Sequence, residues 1–308
     1  MKKIISFLTT AFIVLNINIV VKASNLEYID KDEYTNTMKR DLICLMMAYP
    51  EYIKDIVRTE DDKVYVIMKS GRKILYDDKK TKSFEEKLAN TDLQDMMEQI
   101  YPLNMPDKLM EKNFDPGRCR SYPLLQEVYG DSKAKVEANL KIVNVGYHRY
   151  QFNKNNNAAD SLQAVMKDLM PICQSSPKIN TALFPANGTF NYRHIADTNR
   201  LSPHSFGTAI DLARDKRDYW QWASRTEGEK RLQAYPNELV EVFEKHNFVW
   251  GGKWSHFDIL HFEYRPEIVL KARYFSEKCS SEKKWYEGLP YEESPVKDYI
   301  DRINSVIP

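Results

Sequence analysis

Histidine is scarce in this chain, six residues in 308, and three of the six fall in two short stretches. The first runs Arg200-Leu-Ser-Pro-His-Ser-Phe-Gly-Thr-Ala-Ile-Asp211, the second His256-Phe-Asp-Ile-Leu-His-Phe-Glu263. A catalytic zinc ion takes three protein ligands from His, Asp, Glu or Cys and keeps a fourth position open for water. His204, Asp211 and His261 would supply that set. Asp258 stands three residues before His261 and would take the proton from the bound water. Two imidazoles among three ligands favour zinc over magnesium or calcium, which prefer oxygen.

The surroundings of these residues add to the pattern. Gly207 and Ala209 are small, so backbone can pass close to a metal or substrate between the first two ligands. Thr208-Ala-Ile-Asp-Leu212 reads as a short buried strand with a charge set in it, and a buried charge is costly unless paired or bound to metal. Phe257, Ile259, Leu260 and Phe262 surround Asp258 and His261 in the same way. The spacing also fits a plainer arrangement, in which His204 caps a loop, Asp211 caps a turn and the later histidines pack in a core.

The string Ser202-Pro-His-Ser-Phe-Gly-Thr-Ala-Ile-Asp211 resembles the Ser-x-His-x-x-Gly-x-Ala-x-Asp signature of the VanY/VanX-like zinc peptidases. These are the D-alanyl-D-alanine carboxypeptidases and dipeptidases and the L-alanyl-D-glutamate endopeptidases of bacterial cell walls. Trp254-Ser-His-Phe-Asp-Ile-Leu-His-Phe-Glu263 resembles the second signature, an acid-x-x-His-Phe preceded by an aromatic. The similarity covers roughly residues 140–266. It implies a Zn2+ cofactor held by His204, Asp211 and His261, Asp258 as base, and a peptidoglycan stem peptide as substrate. Asp in place of Glu at 258 resembles the carboxypeptidase and endopeptidase branch. The resemblance also implies an arginine that stabilises the transition state. Arg193 is the first choice, Arg200 the second and Arg149 the third, because the family's Gly-Tyr-Arg-Ser string is absent and Gly146-Tyr-His-Arg149 is a near miss. Arg200, Ser202, Trp254 and His256 are the expected substrate-facing residues, with a structural role for His256 equally open.

The same fold family includes the hedgehog signalling domain, so ligands can persist without activity. A catalytically inactive zinc-bearing cell-wall binding protein is therefore a second reading. A secreted globular protein with its histidines in the core is a third.

Charge is balanced, 45 basic against 44 acidic residues, which gives no reason to propose nucleic acid or a basic membrane-binding face. No partner protein is implied. Lys2 and Lys3 precede a largely apolar run from Ile4 to Val21, and Val21-Lys-Ala23 resembles a cleavage site. Residues 1–23 are thus expected to be a signal peptide of an exported protein, or a membrane anchor. Thr9, Thr10, Asn16 and Asn18 make the run polar for a spanning helix. Cys44, Cys119, Cys173 and Cys279 contain no Cys-x-x-Cys pair. An exported protein permits disulfides, and four cysteines allow about three pairings, among which the sequence does not choose.

These residues need a scaffold. The expected fold is α+β: a small antiparallel sheet carrying the zinc site, flanked by helices, with an N-terminal helix and hairpin region packed on it. The expected divisions are an N-terminal region at 24–139, a peptidase domain at 140–266 and a helical tail at 267–308. Periodicity predicts a helical pattern within 26–60, a hairpin from 63–68 and 73–76, and helices over 84–100 and 124–140. It further predicts a buried strand at 141–145, a helix over 158–170 closed by Pro171, a strand at 189–193, a helix at 237–245 and a strand at 248–250. Asp215 to Trp222 is charged and aromatic and is expected at the mouth of the site. The N-terminal region is expected to act as scaffold.

Overall fold

The computed structural model describes residues 31–277 and 284–308. The signal-peptide reading of residues 1–23 and any pairing of Cys279 fall outside the described residues. Cys44, Cys119 and Cys173 are free thiols. No helix among the described residues is long and apolar enough to cross a membrane.

The described residues open with α1 (Lys31–Ala48), whose Met38, Leu42, Ile43 and Met46 form a buried stripe. The helix ends before Pro50, which has no N–H to give. The helical pattern expected within 26–60 is this helix, and beyond it comes a strand that was not expected, β1 (Ile53–Arg58), which pairs antiparallel with β2 (Val64–Met68). With β3 (Lys73–Leu75) the expected hairpin becomes a three-stranded sheet in the order β1-β2-β3. The helix expected over 84–100 is two, α2 (Phe84–Ala89) and α3 (Leu93–Met97). Asp92 starts the second by accepting from Asp95 N at 2.8 Å, a capping box that restarts the helix. The pattern over 124–140 also divides, into α4 (Tyr122–Tyr129) and α5 (Lys133–Ala138), with Ser132 capping the latter.

The hairpin of β4 (Leu140–Val145) and β5 (His148–Asn153) follows, with Val143 and Val145 buried and Ile142 turned outward. Helix α6 (Ala158–Ser175) continues through Pro171, contrary to expectation. Its apolar face, Leu162, Val165, Met166 and Leu169, carries on to Cys173 beyond the proline, so packing holds the last turn. After α7 (Pro177–Leu183) no strand forms over 189–193; isolated bridges flank it, Gly188 to Asp211 and His194 to Leu201. Backbone groups of that segment serve the turn at 202–206 instead, with Asn191 N donating to His204 O at 3.2 Å.

The functional sheet is assembled last. β6 (Ala209–Asp211) is followed by α8 (Arg225–Ala234), α9 (Asn237–Lys245), β7 (Phe248–Trp250) and β8 (His261–Tyr264). The sheet is antiparallel in the order β6-β8-β7. Its register sets Ile210 opposite Phe262 and Asp211 opposite His261. Alternation then sends Ile210 and Phe262 to one face and Asp211, His261, Ala209 and Glu263 to the other. On the apolar face Phe262 stacks on Phe243 with ring centroids 4.1 Å apart, and Trp250 lies beyond it. Burial of each such side chain stabilises by roughly 1.5–3 kcal/mol. Helices α10 (Pro266–Tyr274) and α11 (Val296–Val306) close the chain and pack on α1.

One cluster of buried apolar residues runs from Met38 to Ile307. Ion pairs cross it. Arg120 grips Glu263 through Nε at 2.9 Å and Nη2 at 2.5 Å. Arg265 binds Glu267 at 2.7 Å, and Tyr49 donates to Glu267 at 2.7 Å. Lys253 donates to Glu244 at 2.6 Å and to the carbonyls of Pro102 and Leu103. Residues before the expected boundary at 139 are thus tied directly to β7, β8 and the turn after β7.

Burial alone would raise the Glu263 carboxyl, but the charge and hydrogen bonds of Arg120, with His261 and Arg265, hold it well below the usual range. A depressed carboxyl contributes stability above its unfolded value, near pH ~4.3, and that contribution is lost as the pH falls below it. Replacing Arg120 with Ala strands Glu263 and is expected to cost roughly 3–5 kcal/mol in urea unfolding. Glu263→Gln is expected to flatten the loss of stability on acidification. A cost below about 1 kcal/mol for Arg120→Ala would show the pair to be no stronger than a surface one.

Candidate metal centre

His204 sits in a short 3-10 turn, Pro203–Phe206. Ser202 caps that turn, its Oγ accepting from His204 N at 3.3 Å. Gly207 ends it with φ of 66°, where a Cβ would lie 2.7 Å from Leu140 Cδ2. A side chain there would meet both strained backbone and a packed neighbour. The reversal delivers the chain into β6, so that Asp211 returns beneath His204.

The ring of His204 is oriented from behind. Its Nδ1 lies 2.5 Å from Thr189 O. A carbonyl accepts, so Nδ1 carries the proton and Nε2 offers its lone pair. His204 Nε2 lies 3.2 Å from Asp211 Oδ1, and His261 Nδ1 lies 2.9 Å from the same oxygen. The far nitrogen of His261, Nε2, is 3.9 Å from Glu263 Oε2. Each imidazole thus turns one nitrogen to Asp211 and the other to an oxygen behind it, the pattern by which supporting groups fix metal-binding histidines.

The three donor atoms lie within 4.8 Å of one another. Ligands ~2.0–2.1 Å from a tetrahedral zinc stand about 3.3 Å apart, close to the spacings here. Electrostatics agree with the donor set. Burial opposes charge on His261, yet its bonds to Asp211 and Glu263 push its pKa up to about 10. Burial likewise opposes charge on Asp211, but His204 and His261 hold its carboxyl well below the usual range. The cluster draws positive charge into a buried place, and a divalent cation answers that demand. His204, Asp211 and His261 fit a metal ion.

Asp258 reaches the centre by a turn. His261 N donates to Asp258 O at 3.1 Å, so the Asp-x-x-His spacing folds back on itself. Asp258 N donates to Gly251 O at 3.0 Å, and the chain on either side is held by Ile259 N to Asp218 O and Trp220 N to Phe257 O. Burial, with Asp211 adding and His261 opposing, raises the Asp258 carboxyl to about 6. No hydrogen bond from the described residues holds that carboxylate. A half-buried acid poised near neutrality is suited to take and return a proton.

A cavity of about 540 Å³ receives all four residues. Arg193 lines it too. Its backbone is pinned to the His204 turn, N donating to Ser205 Oγ at 2.8 Å and O accepting from Ser202 N at 3.0 Å. Its guanidinium makes no ion pair among the described residues. Ser202, Trp254 and His256 line the same cavity. Ser202 is spent as a cap, and the Trp254 indole is buried, donating to Pro116 O at 2.8 Å.

Arg200 is not brought to this cavity. Ile195 N donates to Arg200 O at 2.8 Å, closing a turn, and the Arg200 side chain lies along a separate groove with Nη1 3.4 Å from Leu88 O. Arg149 is exposed on β5, opposite Asn144, away from the cavity. Arg118 and Arg120 line it instead. Both lie in the region expected to act as scaffold, in the positive cluster that follows the Asp115-Pro-Gly turn. The aromatic mouth consists of Tyr219, Trp220 and Trp222, with Arg214 lying 4.6 Å over the Trp222 ring.

Asp211 supplies the oxygen that both imidazoles face. Asp211→Ala is expected to weaken binding of a divalent ion by roughly 100-fold or more, read by competition with a chelating dye. Unchanged affinity would remove Asp211 from the ligand set.

Comparison with known proteins agrees with this geometry. No curated protein and no solved structure matches the chain. A family model described as D-alanyl-D-alanine carboxypeptidase matches residues 196–264. This span begins just before the His204 turn and ends with β8, so it contains His204, Asp211, Asp258 and His261. The resemblance to these peptidases, read from two short signatures, holds for the part of the chain that builds the centre.

Proposed function

We propose that this protein is a zinc-dependent peptidase that hydrolyses peptidoglycan stem peptides, with a D-alanyl-D-alanine carboxypeptidase reaction as first choice and cleavage of the L-Ala-D-Glu bond as second. The observation that carries the reading is the meeting of His204, Asp211, His261 and Asp258 in one cavity. The family match over residues 196–264 supports the peptidase class. Residues 1–23, read as an export signal, would deliver the protein to the compartment that holds such substrates.

Bound zinc would supply Lewis acidity, polarising the scissile carbonyl and making water easier to deprotonate. The protein does the rest. His204 and His261 would each give the metal a nitrogen, His261 losing its proton on metal binding, and Asp211 would give a carboxylate oxygen, each held by the contacts described above. Asp258 removes the proton of the attacking water and passes it to the leaving amine. Arg193, unpaired and at the cavity wall, faces the oxygen on which negative charge develops. Trp220 and the buried Trp254 face limit the water that reaches the reacting bond.

The test is metal content and hydrolysis of the purified chain from residue 24 onward. One zinc per chain, lost in His204→Ala, is expected, together with release of D-alanine from a stem peptide. Asp258→Asn is expected to keep the metal and lower kcat by roughly 10²–10⁴-fold. A protein that binds zinc but hydrolyses no stem peptide would favour the non-catalytic binding reading.

The pH profile follows from the sign of the Asp258 shift. The base must be ionised, so activity falls as the pH drops through its pKa. Burial sets that value at about 6 in the metal-free protein, and a bound cation favours the carboxylate. The acid limb of kcat is therefore expected at or below about pH 6. Gly251→Ala offers a separate check, because a Cβ there would lie 2.5 Å from Asp258 O and 3.2 Å from Asp258 Cβ. The variant is expected to retain zinc and lose activity by about 10²-fold through misplacement of the base.

A further inference from the structure

His256 is held unlike a routine core histidine. Its ring stacks on Phe84, with centroids 5.4 Å apart and planes 10° from parallel, and meets Trp220 edge-on at 4.7 Å. Its backbone N donates to Asp115 Oδ1 at 3.0 Å and its Nδ1 lies 2.6 Å from Asp115 Oδ2. Ser255 Oγ lies 3.2 Å from the same Nδ1. That hydroxyl also accepts from Asn113 N at 3.0 Å. Asp115 is itself 3% exposed and fixed, its N donating to Gln99 Oε1 at 2.6 Å. Three separate parts of the chain thus determine one ring orientation.

An ionised carboxylate only accepts, so the proton between Asp115 and His256 belongs to Nδ1. In the neutral ring Nε2 then carries a lone pair. It has no protein partner among the described residues, and the ring lines the cavity that holds the metal ligands. The side chain is 21% exposed, so Nε2 is left to solvent or to a ligand in that cavity.

We propose that Asp115 is a positioning residue that fixes His256 as the Nδ1–H tautomer, so that His256 Nε2 accepts a hydrogen bond from an amide N–H of the peptide substrate. The inference rests on the peptidase reading for its substrate class. It gives the N-terminal region a defined part in the site: Asp115 lies outside the segment matched by the family, yet its carboxylate sets the orientation of a cavity-facing group inside that segment. Asp115 also binds Arg118 Nη1 at 3.0 Å, so the test must separate the two routes.

The experiment combines nitrogen NMR of histidine-labelled, zinc-loaded protein with stem-peptide kinetics. The wild-type spectrum is expected to show His256, assigned by its absence in His256→Gln, as the Nδ1–H tautomer. An Nε2–H tautomer there would overturn the proposal without recourse to any Asp115 variant. Asp115→Asn is expected to shift the tautomer toward Nε2–H and to lower kcat/KM by about tenfold, the worth of one hydrogen bond. Zinc content should stay unchanged. In a His256→Ala background the same change is expected to alter kcat/KM by less than about twofold, because the two residues act as a unit. A full loss persisting in that background would assign the effect to Arg118 and overturn the proposal. Should the wild-type protein hydrolyse no stem peptide, the peptidase reading fails by itself while the spectrum still decides the positioning.

Discussion

The antiparallel pairing of Asp211 with His261 is the constraint on which the centre depends. Directly opposed residues on neighbouring strands stand about 4.5–5.5 Å apart at Cβ, which brings a carboxylate and an imidazole together with little freedom to separate. The pairing holds because the other face of the same register buries Ile210 and Phe262. A slip by one residue would bring both to the polar side and send the ligands into the core. The apolar stack of Phe243, Phe262 and Trp250 therefore fixes the polar geometry on the opposite face.

From that pair the site is built outward by groups of opposite charge. Asp211 faces two imidazoles, His261 is backed by Glu263, and Glu263 is gripped by Arg120. Such a chain is stable only when every buried charge has a partner, and at its end the donor atoms of His204, Asp211 and His261 converge within 4.8 Å. Asp258 stands apart from the chain of pairs. Its carboxylate is raised because burial is not answered by a hydrogen bond from the described residues, and this contrast between two acids in one cavity suits Asp211 to hold a cation and Asp258 to move a proton.

The N-terminal region is more than a cover. Arg118 and Arg120 enter the cavity wall and Asp115 holds His256 from behind it, while Tyr101, Pro102 and Leu103 anchor the turn at Gly251–Lys253 through Lys253, Glu244 and the Trp250 backbone. That turn accepts the backbone N–H of Asp258. Asp258 is thereby positioned from two sides, by β8 through the His261 turn and by the N-terminal region through residues 251–253. The single apolar cluster shared by both parts is consistent with this arrangement.

The sequence alone determined the local pieces. His204, Asp211, Asp258 and His261 were legible because their spacing lies within two short stretches, each one turn plus one strand. The α+β class, the hairpin at 64–75, the strand at 209–211 and the helix at 237–245 followed from periodicity that neighbours reinforce. Tertiary structure decided what lies between the pieces. Capping by Asp92 divided a continuous helical pattern, and burial beyond Pro171 carried a helix past its expected stop. Thr189–Arg193 gave its backbone bonds to the His204 turn instead of a sheet. Arg193 and Arg200 are near in sequence, but the turn closed at Ile195 and Arg200 sends them to different clefts. Arg120 and Asp115 are tied to Glu263 and His256 across more than a hundred residues, by an ion pair and hydrogen bonds that no local pattern encodes, and Arg118 is carried to the cavity between them. Spacing specifies what one turn or strand brings together. Contacts between distant segments depend on how the whole core packs, and only the folded chain supplies that.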